Sequence, residues 1–326
     1  MTNMLTIRCK NNHSKISVPF GSSLYDVYQK TGLQMDFGPI AATVNNKVQG
    51  MNYRFYNNKD VQFLSLQSPS GMYTYSRTLF FVLAKAVEDL YPSAQLIIGD
   101  CVSRGFYCEL HTGESVTHQM VENTRRRMQE IIDADMPIRR IQCPIEEAIS
   151  MFQSKGMTSK VQLLESQNNL YTYYYQLDQT VDYFYGCLLT RTGLLHLFDL
   201  MPFYDGLLLR IPMIKNPALL EPLTPQDKML DVMREHRKWQ NILGVRTVGE
   251  FNQMVLKGES TQLINVSEAL QDKKLSNIAD EIAERGAKLV LIAGPSSSGK
   301  TTTAKRLAIL LRACGLRPHT LSTDDC

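Results

Sequence analysis

The chain has 326 residues, of which 44% are hydrophobic and 21% charged; this is the composition of a soluble globular protein with room for two or three domains, and it excludes wholesale disorder. Its 35 Lys and Arg against 32 Asp and Glu leave a formal charge of +3. That is too near balance for bulk electrostatics to recruit nucleic acid or anionic lipid, so any basic surface is local.

The first ten residues lack the basic-then-apolar order of a secretory signal, and Lys85 and Lys288 interrupt the longest apolar runs before they reach a membrane-spanning length. The expectation is a cytoplasmic protein with no membrane partner. Seven cysteines without a CxxC pair fit reduced core thiols rather than a disulfide framework.

Residues 5–9, 16–20, 41–44 and 61–66 are short apolar runs separated by turn residues, the pattern of a small strand-rich module. Between the second and third, Ser22 or Ser23 can cap a short helix through Leu24, Val27 and Tyr28 that stops at Gly32. From 77 to 91, Leu79, Phe80, Leu83, Ala84 and Val87 recur at helical spacing before Pro92. Residues 96–98 and 105–110 then read as paired strands, and Val121, Met128, Ile131 and Ile132 as the buried stripe of a second long helix. Arg125, Arg126 and Arg127 belong to its solvated face.

Cys101, Cys108, His111 and His118 are zinc-type ligands close in sequence, but their spacing matches no familiar metal motif. On a hairpin they fall on both faces, so core thiols and surface imidazoles are the reading. The run LYTYYYQLDQTVDYFY at 170–185 suits either base stacking or, more simply, strands, in which Tyr is favoured and successive side chains point to opposite faces. Four prolines between Pro212 and Pro225 mark a linker. Helices resume beyond it: Thr224 and Pro225 are a start signal, Thr247 with Glu250 a capping box, and Gly286 a C-terminal cap for residues 267–285.

The segment LVLIAGPSSSGKTTTAKRLAILLRACG places Gly294, then four residues, then Gly299, Lys300 and Thr301, which is the phosphate-loop pattern. Residues 289–293 are the continuous apolar run of a buried parallel strand, and Ala304, Leu307, Ala308 and Leu311 follow at helical spacing. Glycines at 294 and 299 let the amides of Ser296, Ser297, Ser298 and their neighbours turn toward phosphate, while the helix N-terminus at Thr301 and Thr302 adds unpaired N–H groups. Lys300 would neutralise the outer phosphates of ATP or GTP, and the Thr301 hydroxyl would complete a Mg2+ shell. A second strand over 319–322 is expected to deliver Asp324, or less directly Asp325, to the same crevice, as a base or a metal-holding carboxylate.

GPSSSGKTTTAKRL followed by LSTDD resembles the start of the uridine kinase and phosphoribulokinase family. That resemblance implies ATP-dependent transfer of a γ-phosphoryl group to the 5′-hydroxyl of a pyrimidine nucleoside, with Lys300 and Asp324 catalytic. It also implies a longer kinase domain than these forty residues supply, so the fragment itself is expected to be incompetent. The earlier regions resemble the N-terminal half of threonyl-tRNA synthetase: residues 1–66 its TGS module, of β-grasp type, and 67–212 its second additional domain, with IGDCVSRGFYCEL the most telling stretch.

Editing domains of that synthetase carry an HxxxH pair and later a Cys and His. The matching positions here are Tyr75 and Leu79, then Phe184 and Leu188, none of which ligates metal as imidazole or thiolate, so editing is not expected. The resulting fold expectation is an α+β multidomain chain: module 1–66, synthetase-like domain 67–212, helical linker 213–286 and P-loop segment 287–326. Set beside the nucleoside-kinase reading is a non-enzymatic RNA- or ribosome-binding protein whose P-loop senses nucleotide.

Overall fold

The computed structural model describes residues 4–322, and the chain divides into two compact units. The first comprises residues 1–156 with 168–233, the second 157–167 with 234–326. Mixed α and β structure in several sheets agrees with the α+β expectation.

In the first unit, β1 (Met4–Cys9), β2 (Lys15–Pro19), β3 (Ala41–Val44), β4 (Lys47–Gln49) and β5 (Lys59–Leu64) form a sheet in the order β2-β1-β5-β3-β4. The pair β1 and β5 is parallel and the other pairs are antiparallel. Alternation along the strands buries Ile7, Cys9, Ile16, Val18, Val61 and Phe63 on one face. Against that face lies α1 (Leu24–Thr31), which buries Leu24 and Val27. Ser23 accepts from the Asp26 amide while Asp26 accepts from the Ser23 amide, and Gly32 closes the helix at φ 70°, so both ends are specified by short-range chemistry. The three-residue strand β4, mostly exposed, has too little apolar text to be read beforehand.

The rest of this unit is organised around α2 (Pro69–Leu90), which starts eight residues before its apolar periodicity does because Ser68 caps it and Pro69 suits its first turn. It is buried along most of its length, with Tyr75, Leu79, Phe81, Val82 and Leu83 fully covered. Around it lie α3 (His118–Asp133), a four-stranded sheet and a three-stranded sheet. The larger sheet runs β11-β12-β7-β6, from β6 (Gln95–Val102), β7 (Gly105–His111), β11 (Asp199–Phe203) and β12 (Gly206–Arg210). The smaller runs β10-β9-β8, from β8 (Ile138–Pro144), β9 (Tyr171–Leu177) and β10 (Thr180–Asp182). The helix α4 (Ile145–Ser154) packs on β8 and β9 through Ala148 and Phe152.

The second unit is helical: α5 (Thr158–Glu165), α7 (Val248–Leu256), α8 (Ser260–Arg285) and α9 (Lys300–Ala313), with most of α6 (Asp227–Leu243). Gly249 of α7 lies so close to α5 that a Cβ there would stand 2.8 Å from the Leu163 amide nitrogen and the Ser159 carbonyl, which explains glycine within a helix. The capping box at Thr247 and Glu250 and the left-handed cap at Gly286 are both present.

Two expected strands are absent. Residues 289–293 have no strand partner and Leu289 and Leu291 are 76% and 83% exposed; residues 319–322 are likewise irregular, with Leu321 exposed. A parallel strand needs hydrogen-bonded neighbours and cover on both faces, and neither is provided here. What survives of the expected βαβ is its helix, because α9 has an independent partner: Leu307 and Leu311 bury against Ala279 of α8, and Arg306 pairs with Asp272 at 3.3 Å.

Candidate functional site

Two regions bear chemistry. In the phosphate-type loop, Gly299 occupies the left-handed region at φ 80° immediately before α9 and no side chain caps the helix, so its first amides stay open to an anion. Ser297 is also left-handed at φ 60°. Ser298 donates its amide to the Pro295 carbonyl at 3.3 Å, closing the turn. Lys300 donates through Nζ to that same carbonyl at 2.8 Å, so its ammonium is folded onto the loop, and a phosphate would have to draw it away. Gly294, Ser296, Ser297, Ser298, Gly299, Thr301 and Thr302 are exposed. Asp324, assigned the base or metal role, and Asp325 lie outside the described residues.

The second region is the tyrosine-rich sheet. Alternation sends Tyr173 and Tyr175 to one face of β9 and Tyr174 to the other, where Tyr174 meets Phe152 of α4 at 6.2 Å. Strand propensity therefore accounts for the run, but it does not exhaust it. The Tyr173 hydroxyl donates to the Phe184 carbonyl at 3.1 Å and the Tyr175 hydroxyl to the Gly186 carbonyl at 3.0 Å. Arg77 donates to the Cys187 carbonyl at 3.0 Å. Burial pushes the Tyr175 phenol well above its ordinary pKa, which keeps it a donor. Arg140 of β8, opposite Tyr175 and so diagonal to Tyr173, lies 3.8 Å from the centre of the Tyr173 ring, a cation–π distance. That pairing escaped the sequence reading because cross-strand register is visible only once strands are paired.

The four positions matching the editing residues lie in one apolar core cluster, with Tyr75, Leu79 and Leu188 buried in it and Phe184 packed against it. Tyr75 accepts from the His196 and Leu197 amides and donates to the Leu197 carbonyl, each at 2.9 Å. Its burial raises the phenol to about 12. Leu79 and Leu188 are core side chains, and the ring facing Phe184 is Phe81, 5.4 Å away. His196, overlooked in the sequence, stacks on Phe37 at 4.1 Å and donates through Nε2–H to the Pro217 carbonyl at 3.0 Å.

Cys101 is exposed and Cys108 buried, His111 sits 3.1 Å from Glu109, and His118 opens α3. Among the described residues no group of three or more His, Cys, Asp and Glu is placed to hold a metal ion. Arg125 and Arg127 pair with Glu122, Glu130 and Asp89, and Arg126 donates to the Asn123 amide oxygen. No helix among the described residues is long and apolar enough to cross a membrane.

No family model matches the chain. Among curated proteins it is similar to the threonine–tRNA ligase of Clostridium kluyveri, 29% identical over 177 residues, which are 54% of this chain and 28% of the ligase. It is similar to that of Syntrophomonas wolfei at 28% over 199 residues, 61% of this chain and 31% of the ligase. A third, from Natranaerobius thermophilus, is 31% identical over 153 residues, 47% of this chain and 24% of the ligase. The chain thus contains a threonyl-tRNA-synthetase-like domain and spans about a third or less of the length of these relatives.

These findings overturn the nucleoside-kinase expectation. The relatives are tRNA ligases, a different enzyme class from a uridine-kinase-like phosphotransferase, and the pyrimidine nucleoside acceptor falls with it. The overturned reading rested on about forty residues, while the matches extend over 153 to 199.

Proposed function

We propose that the chain is a non-catalytic RNA-binding protein whose front part, residues 1–212, takes tRNA or a tRNA-like fold. Within it, residues 1–66 act as a TGS-type module and 67–212 as a counterpart of the synthetase's second additional domain. A helical connector, 213–286, leads to a nucleotide-sensing segment, 287–326. The observation that carries the reading is similarity to proteins named for their tRNA substrate, in a chain whose Tyr75, Leu79, Phe184 and Leu188 offer no imidazole or thiolate for hydrolysis. A fold that keeps the scaffold and lacks the reactive groups retains binding as its chemistry.

For the sensing segment, the open amides before α9 and the Lys300 ammonium support binding of the phosphates of ATP or GTP. Thr301 supplies a hydroxyl to Mg2+, and Asp324 a carboxylate that holds it through water. This is a binding role and involves no phosphoryl transfer.

Filter-binding titration of purified tRNA against the whole chain over a salt series tests the first part. Binding whose affinity falls steeply with salt is expected; no retention at low salt would sink the RNA reading. Calorimetry with Mg2+ and ATP or GTP, beside Lys300→Ala, tests the second: uptake abolished by the variant is expected, and heat that is unaffected by it removes the sensor.

A further inference from the structure

We infer that Tyr185, with Tyr183, Tyr173 and Arg140 behind it, is a stacking platform for an unpaired base of single-stranded RNA. The inference rests on the RNA reading above and adds where and how a base is held.

Tyr185 is 64% exposed, and an exposed aromatic ring on a loop ordinarily loses rotamer and backbone freedom when it binds, which weakens the contact. Here much of that freedom is already gone. The carbonyls on both sides of it, at Phe184 and Gly186, accept from the Tyr173 and Tyr175 hydroxyls, and the next carbonyl, at Cys187, accepts from Arg77. Tyr175 is only 4% exposed, so one of these tethers reaches from the core, and Tyr173 and Arg77 are half-buried. Gly186 has φ 108°, and a Cβ there would meet the Arg77 guanidinium at 2.5 Å, so the turn that lifts Tyr185 outward is available to glycine and closed to larger residues. A loop built this firmly presents its ring in one place.

The ring is also backed. Tyr185 meets Tyr183 edge-on at 5.2 Å, Tyr183 lies over Tyr173 at 5.6 Å with planes 33° apart, and the Arg140 guanidinium caps Tyr173 at 3.8 Å. An aromatic ladder ending in a guanidinium offers π-faces for a base and positive charge for a neighbouring phosphate. Those two features together favour a nucleic acid strand over an apolar peptide.

The test uses the whole chain and two RNA probes: a hairpin with a single-stranded extension, and the same hairpin with a blunt end. The unaltered chain is expected to prefer the extended probe by about tenfold, the effect of one base stacked on an aromatic ring. Tyr185→Ala is expected to erase the preference, Tyr185→Phe to keep it, and Arg140→Ala to weaken both probes and lower the salt dependence. Equal affinity of the unaltered chain for the two probes, or an undiminished preference in Tyr185→Ala, overturns the platform while the RNA reading stands. Failure to bind either probe overturns the RNA reading and the platform with it.

Discussion

The loop carrying Tyr185 and the loop carrying Lys300 both turn on a left-handed glycine, Gly186 and Gly299, yet they are held in opposite ways. The first is fixed from outside itself, by Tyr173, Tyr175 and Arg77 on other elements. The second is fixed by its own atoms, with Ser298 and Lys300 both bonded to Pro295. A loop tethered to a core is ready for its ligand and sensitive to changes far away in sequence. One closed on itself depends on residues next to it in sequence.

Core substitutions should break this contrast most strongly. Phe81 is fully buried and faces Phe184, so Phe81→Ala is expected to destabilise by about 3–5 kcal/mol in urea unfolding and to loosen the Tyr185 loop, with no change in nucleotide uptake at Lys300. Equal losses at both sites would mean that the two loops are not independent.

Alkaline pH should act next. Tyr75 rises from 10.0 to about 12 when folded, so between those values the unfolded chain binds fewer protons than the native one and stability falls as pH rises; it is fully present below pH 10. Tyr75 contributes about 2–3 kcal/mol of that loss by pH 12, measured as a shift in the urea midpoint, and Tyr75→Phe should remove this share while leaving that of the similarly raised Tyr175. A midpoint unchanged between pH 9 and pH 11 in the unaltered chain would contradict the burial of this phenol.

Smaller effects sharpen the picture. Tyr175→Phe removes one donor to the Gly186 carbonyl and should cost about 1 kcal/mol while weakening RNA more than its stability loss explains. Ser23→Ala removes the capping box of α1, again about 1 kcal/mol by thermal unfolding. At the other extreme, Leu291→Ser alters an 83% exposed side chain and should lie within about 0.5 kcal/mol of the unaltered chain. A large loss there would show that the 289–293 run is covered in solution.

Legibility followed the range of the interactions. The first sheet, its helix, the α7 capping box and the Gly286 cap were readable because each depends on neighbours a few residues away or on simple alternation. The glycine turn before α9 was readable for the same reason, and the strands expected on either side were misread for the converse one: an apolar run becomes a strand only where others pair with it and cover it. The kinase reading went wrong on the same short segment, since a phosphate loop states what it grips and leaves the chemistry to residues elsewhere.

By itself, then, the sequence determined the local elements, the glycine turns and the absence of imidazole or thiolate at the positions matching an editing centre, since these are set by residue type and short spacing. Tertiary structure alone decided that Phe81 faces Phe184, that two tyrosine hydroxyls and Arg77 hold one loop, and that Arg140 lies on Tyr173. Those contacts join residues separated by up to 110 positions, and only the pairing and packing of whole elements brings such side chains within reach of one another.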